Sequence, residues 1–419
     1  MRRVRNIAAA GCTTLFLVFS CRGWLDGDYP FGQNRTFINN RPDSSLLHTP
    51  NREEDPREGS TPHCYYSAVE FPQGYNWKRD SAGGQVRCRL VLFKDGERIL
   101  QLPVREDGPS ADPDMHRIAG GHLYVDYCTQ EETVLLRDEK ELFRYPGRET
   151  LRGFFLSSDG KVHTLGQNRS GQGFSYRIDG NEIFARTSGY LFGSSGTGPG
   201  LRSGALSQDG EGRICFTFGT GGGHWWIWHD GSIREVPLAG AQTVYDLRPV
   251  RGSPVAAFKR DGLQIRKPDG TDGCPTRQEI LSARIVPDGR GLEDFRIAVR
   301  QRLKNGNEVD FLYNAGGVEC SFPEYGGAVE HVLLDGQDCY VAMDREGKVA
   351  AIRARDGTVE TVEAGRYLLM SPSCIWMEEE DMYVALSGDP DYGAGPQIWH
   401  NGEMLSLLLC GYLTGVSYE

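Results

Sequence analysis

Short apolar runs separated by Asp-Gly or Asn-Gly pairs recur along the chain. In each copy one run leads into the turn pair and a second run leads away from it. The clearest copies are L-V-L-F-K-D-G-E-R-I-L-Q-L (90–102), F-S-Y-R-I-D-G-N-E-I-F-A (174–185), W-I-W-H-D-G-S-I-R-E-V (226–236), A-I-R-A-R-D-G-T-V-E-T-V (351–362) and I-W-H-N-G-E-M-L-S-L-L (398–408). Weaker copies cover 134–144, 263–270 and 310–322. Asp-Gly and Asn-Gly supply the left-handed residues of tight turns between twisted antiparallel strands, so each copy predicts a β-hairpin.

The turns fall at Asp95, Asp138, Asp179, Asp230, Asp269, Ala315, Asp356 and Asn401, spaced 43, 41, 51, 39, 46, 41 and 45 residues apart. Two further strands precede each hairpin. One is clearest as H-L-Y-V-D-Y (122–127), R-I-C-F-T-F (213–218), D-C-Y-V-A-M (338–343) and D-M-Y-V-A-L (381–386). The other is clearest as G-F-F-L-S-S-D-G (153–160), G-A-L-S-Q-D-G (204–210), E-H-V-L-L-D-G (330–336) and Y-L-L-M-S-P-S-C-I-W (367–376). Four strands in about 40–50 residues is the period of a propeller blade. A single such sheet cannot bury both of its faces. Packed between two like sheets around an axis it can, and closing the ring limits exposed edges. The sequence therefore predicts an all-β fold, a β-propeller of eight blades, each a four-stranded antiparallel sheet. Seven blades is the alternative if the first unit is incomplete or if 411–419 closes the ring beside it. A two-domain β-sandwich is the architectural rival. Gly and turn pairs interrupt every window that might hold a long helix.

Composition agrees with this picture and narrows the function. The chain has 419 residues, 54 of them Gly, with 10% aromatics and a formal charge of −11. The glycines have no three-residue period, which excludes collagen, and the aromatics exclude a wholly disordered chain. The acidic balance argues against nucleic acid as a partner.

The N-terminus carries an address. Arg2, Arg3 and Arg5 precede an apolar stretch from Ile7 to Phe19, too short to span a bilayer and shaped like a secretory signal. Leu17-Val18-Phe19-Ser20-Cys21 resembles a bacterial lipobox, with Phe19 in place of the usual small residue. That resemblance implies cleavage before Cys21 and lipidation of its thiol and new amino group, which would anchor the chain stably. Cleavage removes the three arginines and makes the chain still more acidic, so attachment would come from lipid and not from a basic patch. The organisation expected is signal peptide 1–20, tether 21–60 and propeller 61–419. The tether holds Pro30, Pro42, Pro50 and Pro56 and the charged run N-R-E-E-D-P-R-E-G-S, with no period. The setting expected is the cell envelope, lipid-anchored at the outer membrane and facing the periplasm or the surface.

The D-x-Y-V-A strand followed by I-W-x-N-G-x-x-x-x-L, best matched from Asp381 to Leu408, resembles the β-propeller repeat lipoproteins of Bacteroidetes. Trp399, Asn401 and Gly402 fit; His400 and Leu386-Ser387 depart from the usual pattern. The resemblance implies a propeller at the cell surface or in the periplasm, and brings no catalytic residues.

Chemistry is sparse. The chain lacks G-x-x-x-x-G-K-[ST], H-E-x-x-H and G-x-S-x-G, so no catalytic residue is assigned. Outside the signal nine Cys remain, spread through apolar runs without C-x-x-C, which reads as small buried hydrophobes and not as a metal site. No metal and no cofactor is expected. Asp112-Pro113-Asp114 and Asp389-Pro390-Asp391 lack the ligand count of a calcium loop. The fourth unit has the longest interval. There a Gly-rich stretch, Gly219 to Gly223, leads into His224-Trp225-Trp226-Ile227-Trp228-His229. Alternation places Trp226 and Trp228 on one face and Trp225 and Ile227 on the other, which suits packing between sheets. His224 and Trp225, at a loop mouth, are the candidate ligand-binding residues, where an aromatic can stack on a sugar or grip a peptide. The function expected is a non-catalytic, membrane-anchored binding or scaffolding propeller that holds a protein or glycan on one face. The alternative is an extracytoplasmic glycan-active hydrolase or lyase.

Overall fold

The computed structural model describes residues 63–72, 86–106, 116–129, 131–169, 172–192, 205–287, 295–314, 317–321, 328–335, 338–345, 348–353, 359–362, 367–368, 375–378, 381–388, 396–400, 403–406 and 411–418. The expected signal, Cys21 and the tether lie outside them, as do the Asp112 and Asp389 motifs.

Every element among the described residues is a β-strand, and the strands form eight antiparallel sheets. Sheets 2 to 8 are continuous in sequence and cover 116–146, 149–186, 190–235, 243–276, 279–321, 328–362 and 367–406. Sheet 1 draws on both ends of the chain. Cys64–Glu70, Val86–Lys94 and Glu97–Glu106 form its outer three strands, and the C-terminal strand Gly411–Tyr418 is its innermost. Strands follow sequence order within each of the other sheets, and neighbouring sheets approach mainly through their first and second strands. Positions a to d below run outward from the axis. Sheet 8 meets sheet 1 through Asp381–Gly388 and Gly411–Tyr418, which closes the ring. This is a β-propeller, as the spacing predicts. The C-terminal segment completes sheet 1 and does not add a sheet of its own.

The Asp-Gly pairs make the c–d turns. Asp95 and Gly96 have φ of 50° and 85°, Asp179 and Gly180 47° and 77°, and Asp230 and Gly231 45° and 81°. The expected turns at Ala315, Asp356 and Asn401 involve residues outside those described. The aspartate has a second task. Its carboxylate accepts the amide hydrogen at or near the start of strand b: Cys64 N to Asp95 Oδ1 at 2.8 Å, Leu123 N to Asp138 at 3.0 Å, Val162 N to Asp179 at 2.9 Å. Asp95 and Asp138 also hold His63 and His122, each at 2.6 Å. One residue type thus sets both the turn and the docking of strand b on it.

The core lies between sheets and not within any one of them. Tyr124, Leu135, Leu151 and Phe154 fill the gap between sheets 2 and 3; Leu165, Phe174, Tyr176, Phe216 and Phe218 that between 3 and 4; Leu247 and Phe258 pack on Ile227 and Val236 between 4 and 5. In sheets 3, 4 and 5 the cores lie on both faces of the described strands, which supply alternate side chains to the two gaps beside them. Cys88, Cys128 and Cys215 are buried, Cys64 is half-buried and Cys274 is exposed.

Candidate functional site

Sheet 4 departs from its neighbours in its innermost strand, which consists of two short pieces, Tyr190–Leu191 and Ser207–Gln208, both paired with Ile214–Thr220. Strand c is His224–His229 and strand d Ser232–Glu235. The b–c turn, residues 221–223, marks one end of this sheet, termed the upper end; Gly222 and Gly223 take φ of 86° and 79°, which lets the chain reverse at no steric cost.

The alternation read from H-W-W-I-W-H is what the structure contains. Trp226 and Trp228 face sheet 3; Trp228 stacks on its cross-strand neighbour Phe216, centroids 5.1 Å apart, and meets Tyr176 of sheet 3 at 4.9 Å. Trp225 and Ile227 face sheet 5. The two candidate residues, His224 and Trp225, are therefore on opposite faces of one strand. His224 is exposed at the upper end, its Nδ1 2.9 Å from Glu235 Oε1 and its ring stacked towards Trp226. Trp225 is half-buried.

A residue that the sequence did not single out joins Trp225. Tyr190, Gly219 and Trp225 form one row across strands a, b and c. With no side chain on Gly219, the tyrosine ring lies across it: a Cβ there would sit 2.4 Å from Tyr190 Cζ and 2.5 Å from its hydroxyl oxygen. Partial burial pushes the Tyr190 phenol above its ordinary range. Phe192 meets the ring edge-on at 5.2 Å. Gly189, at φ 113° and with the Gly219 carbonyl only 2.8 Å from where its Cβ would stand, brings the strand into this position. Even so, Tyr190 is 45% exposed. The sequence signal was present in G-Y-L-F before the Gly-rich stretch, but the row exists only once strands a, b and c are in register.

The lower end of sheet 4 holds a polar cluster. Asp209 accepts hydrogen bonds from Arg213 Nε at 2.7 Å, from the Arg213 and Glu211 amides at 2.9 Å, and from His229 Nε2 at 2.8 Å. Burial alone would raise its pKa, but these donors outweigh it and hold the carboxyl far below the usual carboxylate range. Cys215 stands directly across from His229 in the sheet. A Cys-His-Asp set suggests a nucleophile, yet burial, with Asp209 adding to it, pushes this thiol up to about 12. A reactive thiolate needs the opposite shift and access to solvent. The cluster is a structural clasp. Gly252 of sheet 5 packs against it; a Cβ there would lie 3.0 Å from Asp209 Cβ.

Other buried carboxylates are likewise tied to arginines. Asp126 pairs with Arg117, Glu149 with Arg177 at 2.7 Å, Asp246 with Arg248 at 3.2 Å and Asp310 with Arg300 at 2.9 Å. Arg177 also lies over the Tyr145 ring of sheet 2 at 4.3 Å, and Asp246 accepts the Ile285 amide of sheet 6 at 2.9 Å. Arg177 and Asp246 thus tie neighbouring sheets together, which suits packing. Where sheets 1 and 2 meet, His116 bonds Ser67 and Ser417 through its two ring nitrogens, each at 2.7 Å, and Ser67 bonds Thr414 at 2.7 Å. This buried latch joins strands from both ends of the chain. Among the described residues no group of three or more His, Cys, Asp or Glu is placed to hold a metal ion.

No family model and no curated protein matches the chain. It is similar to solved structures at low identity. The β-propeller domain of the Trilobed protease from Pyrococcus furiosus is 13% identical, with a TM-score of 0.42 over 70% of this chain and 93% of that one. The acylaminoacyl peptidase of Pyrococcus horikoshii is 14% identical, TM-score 0.42, over 83% and 51%. BBS1N, solved in complex with ARL6DN, is 11% identical, TM-score 0.38, over 68% and 92%. The assignment of this chain to the β-propeller fold rests on its own sheet order and ring closure.

Proposed function

We propose that this protein is a non-catalytic binding propeller, held at a bacterial outer membrane by lipid on Cys21, that receives its ligand or partner at the upper end of sheet 4. The row Tyr190–Gly219–Trp225 is the observation that carries this reading. It fixes an aromatic ring in place while leaving much of it open, at the expense of two glycines that tolerate no side chain. A binding surface needs such pre-organised aromatic area. His224 and Glu235 are exposed at the same end, on the opposite face of the sheet. The buried carboxylates Asp126, Glu149, Asp246 and Asp310 are each engaged by an arginine of their own sheet, which supports a packing role for them.

Two measurements test the reading. Cells fed an alkynyl palmitate should label the wild-type chain and not a Cys21→Ala variant, which should leave the membrane fraction. Label on Cys21→Ala, or equal membrane retention, refutes the anchor. A photo-crosslinking amino acid placed at position 224 should give a discrete adduct in intact cells, whereas one at Ile183, on the outer edge of sheet 3, should not. Equal patterns at both positions refute the site.

A further inference from the structure

Five of the eight outermost strands carry a break in their pairing. The d strands of sheets 1, 2 and 3, and those of sheets 5 and 6, Asp272–Thr276 and Gly317–Ser321, each shift register against strand c. Such breaks twist an edge and spoil it as a template for another strand. The pairing stays regular in sheets 4, 7 and 8. Two of these regular edges also expose a large apolar side chain: Ile233, 39% exposed, on Ser232–Glu235 of sheet 4, and Met404, 47% exposed, on Glu403–Ser406 of sheet 8. The two hairpins share I-W-H, a turn Asp or Asn, and Gly, as I-W-H-D-G-S-I (227–233) and I-W-H-N-G-E-M (398–404). In sheet 4 the two-residue turn makes His229 and Ser232 a bonded pair, so Ile233 turns its own N–H and C=O away from strand c and out of the sheet. Met404 holds the same place, one residue after the pair His400–Glu403. Sheets 4 and 8 stand on opposite sides of the ring, with three sheets between them either way.

We infer that the sheet 4 edge of one molecule pairs with the sheet 8 edge of a second copy, antiparallel, with Ile233 opposite Met404. Charge selects this pairing. In that register Arg234 falls opposite Glu403, and the two form a cross-strand ion pair. Both are exposed, and neither has an ionic partner among the described residues. The same register between two sheet 4 edges sets Arg234 against Ser232, and between two sheet 8 edges it sets Glu403 against Leu405. Neither of those combinations gains the ion pair. Ile233 and Met404 lie side by side on one face of the joined sheet, and Arg234 and Glu403 on the other. Antiparallel pairing turns the second copy upside down. Each copy keeps a free edge at the far side of its ring, so the contact is head-to-tail, does not close, and extends a row of molecules. The four-residue strands bury far less than the ~1,200 Å² of a standard interface, so the contact is weak and reversible. Such a row depends on neither the lipid nor the ligand proposed above.

The test is sedimentation equilibrium of the full chain in a density-matched detergent, up to millimolar protein and in about 0.15 M salt, where the charge of −11 is screened beyond ~8 Å. The weight-average mass should climb with concentration past that of a dimer. Arg234→Glu and Glu403→Arg should each weaken association about threefold or more, and the two together should restore it. Ile233→Lys should return the chain to monomer, and thermal unfolding of each variant confirms that it folds. A second measurement reads the register. Bonded residues directly opposite one another have Cα atoms ~5.5 Å apart, within reach of a disulfide. Ile233→Cys chains mixed with Met404→Cys chains under mild oxidant should give the mixed dimer several-fold faster than either variant pairs with itself, above the background of the unsubstituted chain. A wild type that stays monomeric throughout, a mass that levels off at dimer, or a double charge variant no better than the single ones overturns the pairing. So does a mixed disulfide that forms no faster than the self-paired ones.

Discussion

At the residue scale the molecule relies on aspartates placed in left-handed turns. Asp95, Asp138, Asp179 and Asp230 all take φ between 45° and 50°. Asp is among the few side chains that tolerate this region, because its short polar group bonds locally. Three of the four turns follow it with glycine. The fourth does not: Glu139 sits at φ 68° where its counterparts are Gly96, Gly180 and Gly231. A non-glycine residue there costs about 1–2 kcal/mol, and replacing it with glycine restores roughly 0.5–1 kcal/mol of unfolded-state entropy to be lost on folding. Glu139→Gly should therefore stabilise the protein slightly, by about 0.5 kcal/mol. Urea unfolding checks it, and a lower midpoint for the variant would show that Glu139 makes a contact worth more than its strain. The pKa of Asp138 points the same way about its partner residue. Burial is the largest single influence and raises it, but the Leu123 amide and His122 together outweigh that and draw it below the ordinary carboxylate value.

At the element scale the outer strands share a device. In sheets 1, 2 and 3 the d strand carries one extra residue four positions after the turn aspartate: Ile99, Leu142 and Ile183 are each skipped in the pairing with strand c. A bulge twists an edge strand and breaks the ladder that another chain could extend. Ile183 is 51% exposed, whereas Ile99 and Leu142 are partly buried against the cores beside their sheets. Deleting Ile183 should straighten the edge of sheet 3 and promote self-association, read as a rise in mass by light scattering with concentration. An unchanged monomer fraction at high concentration would mean that side-chain charge alone protects this edge. The inner strands use the same device differently. Arg152, Tyr245, Leu281 and Thr414 are the skipped residues of strand a in sheets 3, 5, 6 and 1, so the bend recurs where strands crowd towards the axis.

At the scale of the whole molecule the two ends of the chain share sheet 1. Gly411–Tyr418 pairs with Cys64–Glu70, and seven of its residues are buried. The His116 latch crosses the same junction. Each sheet buries its faces only against its neighbours, so opening the ring at one point exposes the gaps on both sides of sheet 1, where Val69, Leu90 and Tyr412 face sheet 2 and Tyr66, Leu413 and Val416 face sheet 8. Repeat arrays without closure unfold from their ends. Removing residues 411–419 should convert a single cooperative thermal transition into a broad one with an earlier onset and exposed apolar surface that binds a hydrophobic dye. A truncated chain that unfolds as sharply as the intact one would show that sheet 1 is not what holds the ring.

The hairpins, their period and the doubly buried b strands could all be read from residues, because a turn type and an alternation are local properties: Asp179-Gly180 and the run F-S-Y-R-I carry their own geometry. The packing of Trp226 and Trp228 on one face and Trp225 and Ile227 on the other followed from the same alternation. The pairing of Gly411–Tyr418 with Cys64–Glu70 did not, since nothing in either segment specifies a partner some 340 residues away. Nor did Tyr190, an ordinary aromatic in a two-residue strand until register set it across Gly219 and against Trp225. Local sequence chooses strands and turns because it fixes dihedral angles and faces. Only the closed ring decides which distant residues share a gap or a rim, because burial is satisfied by neighbours the chain must first bring together.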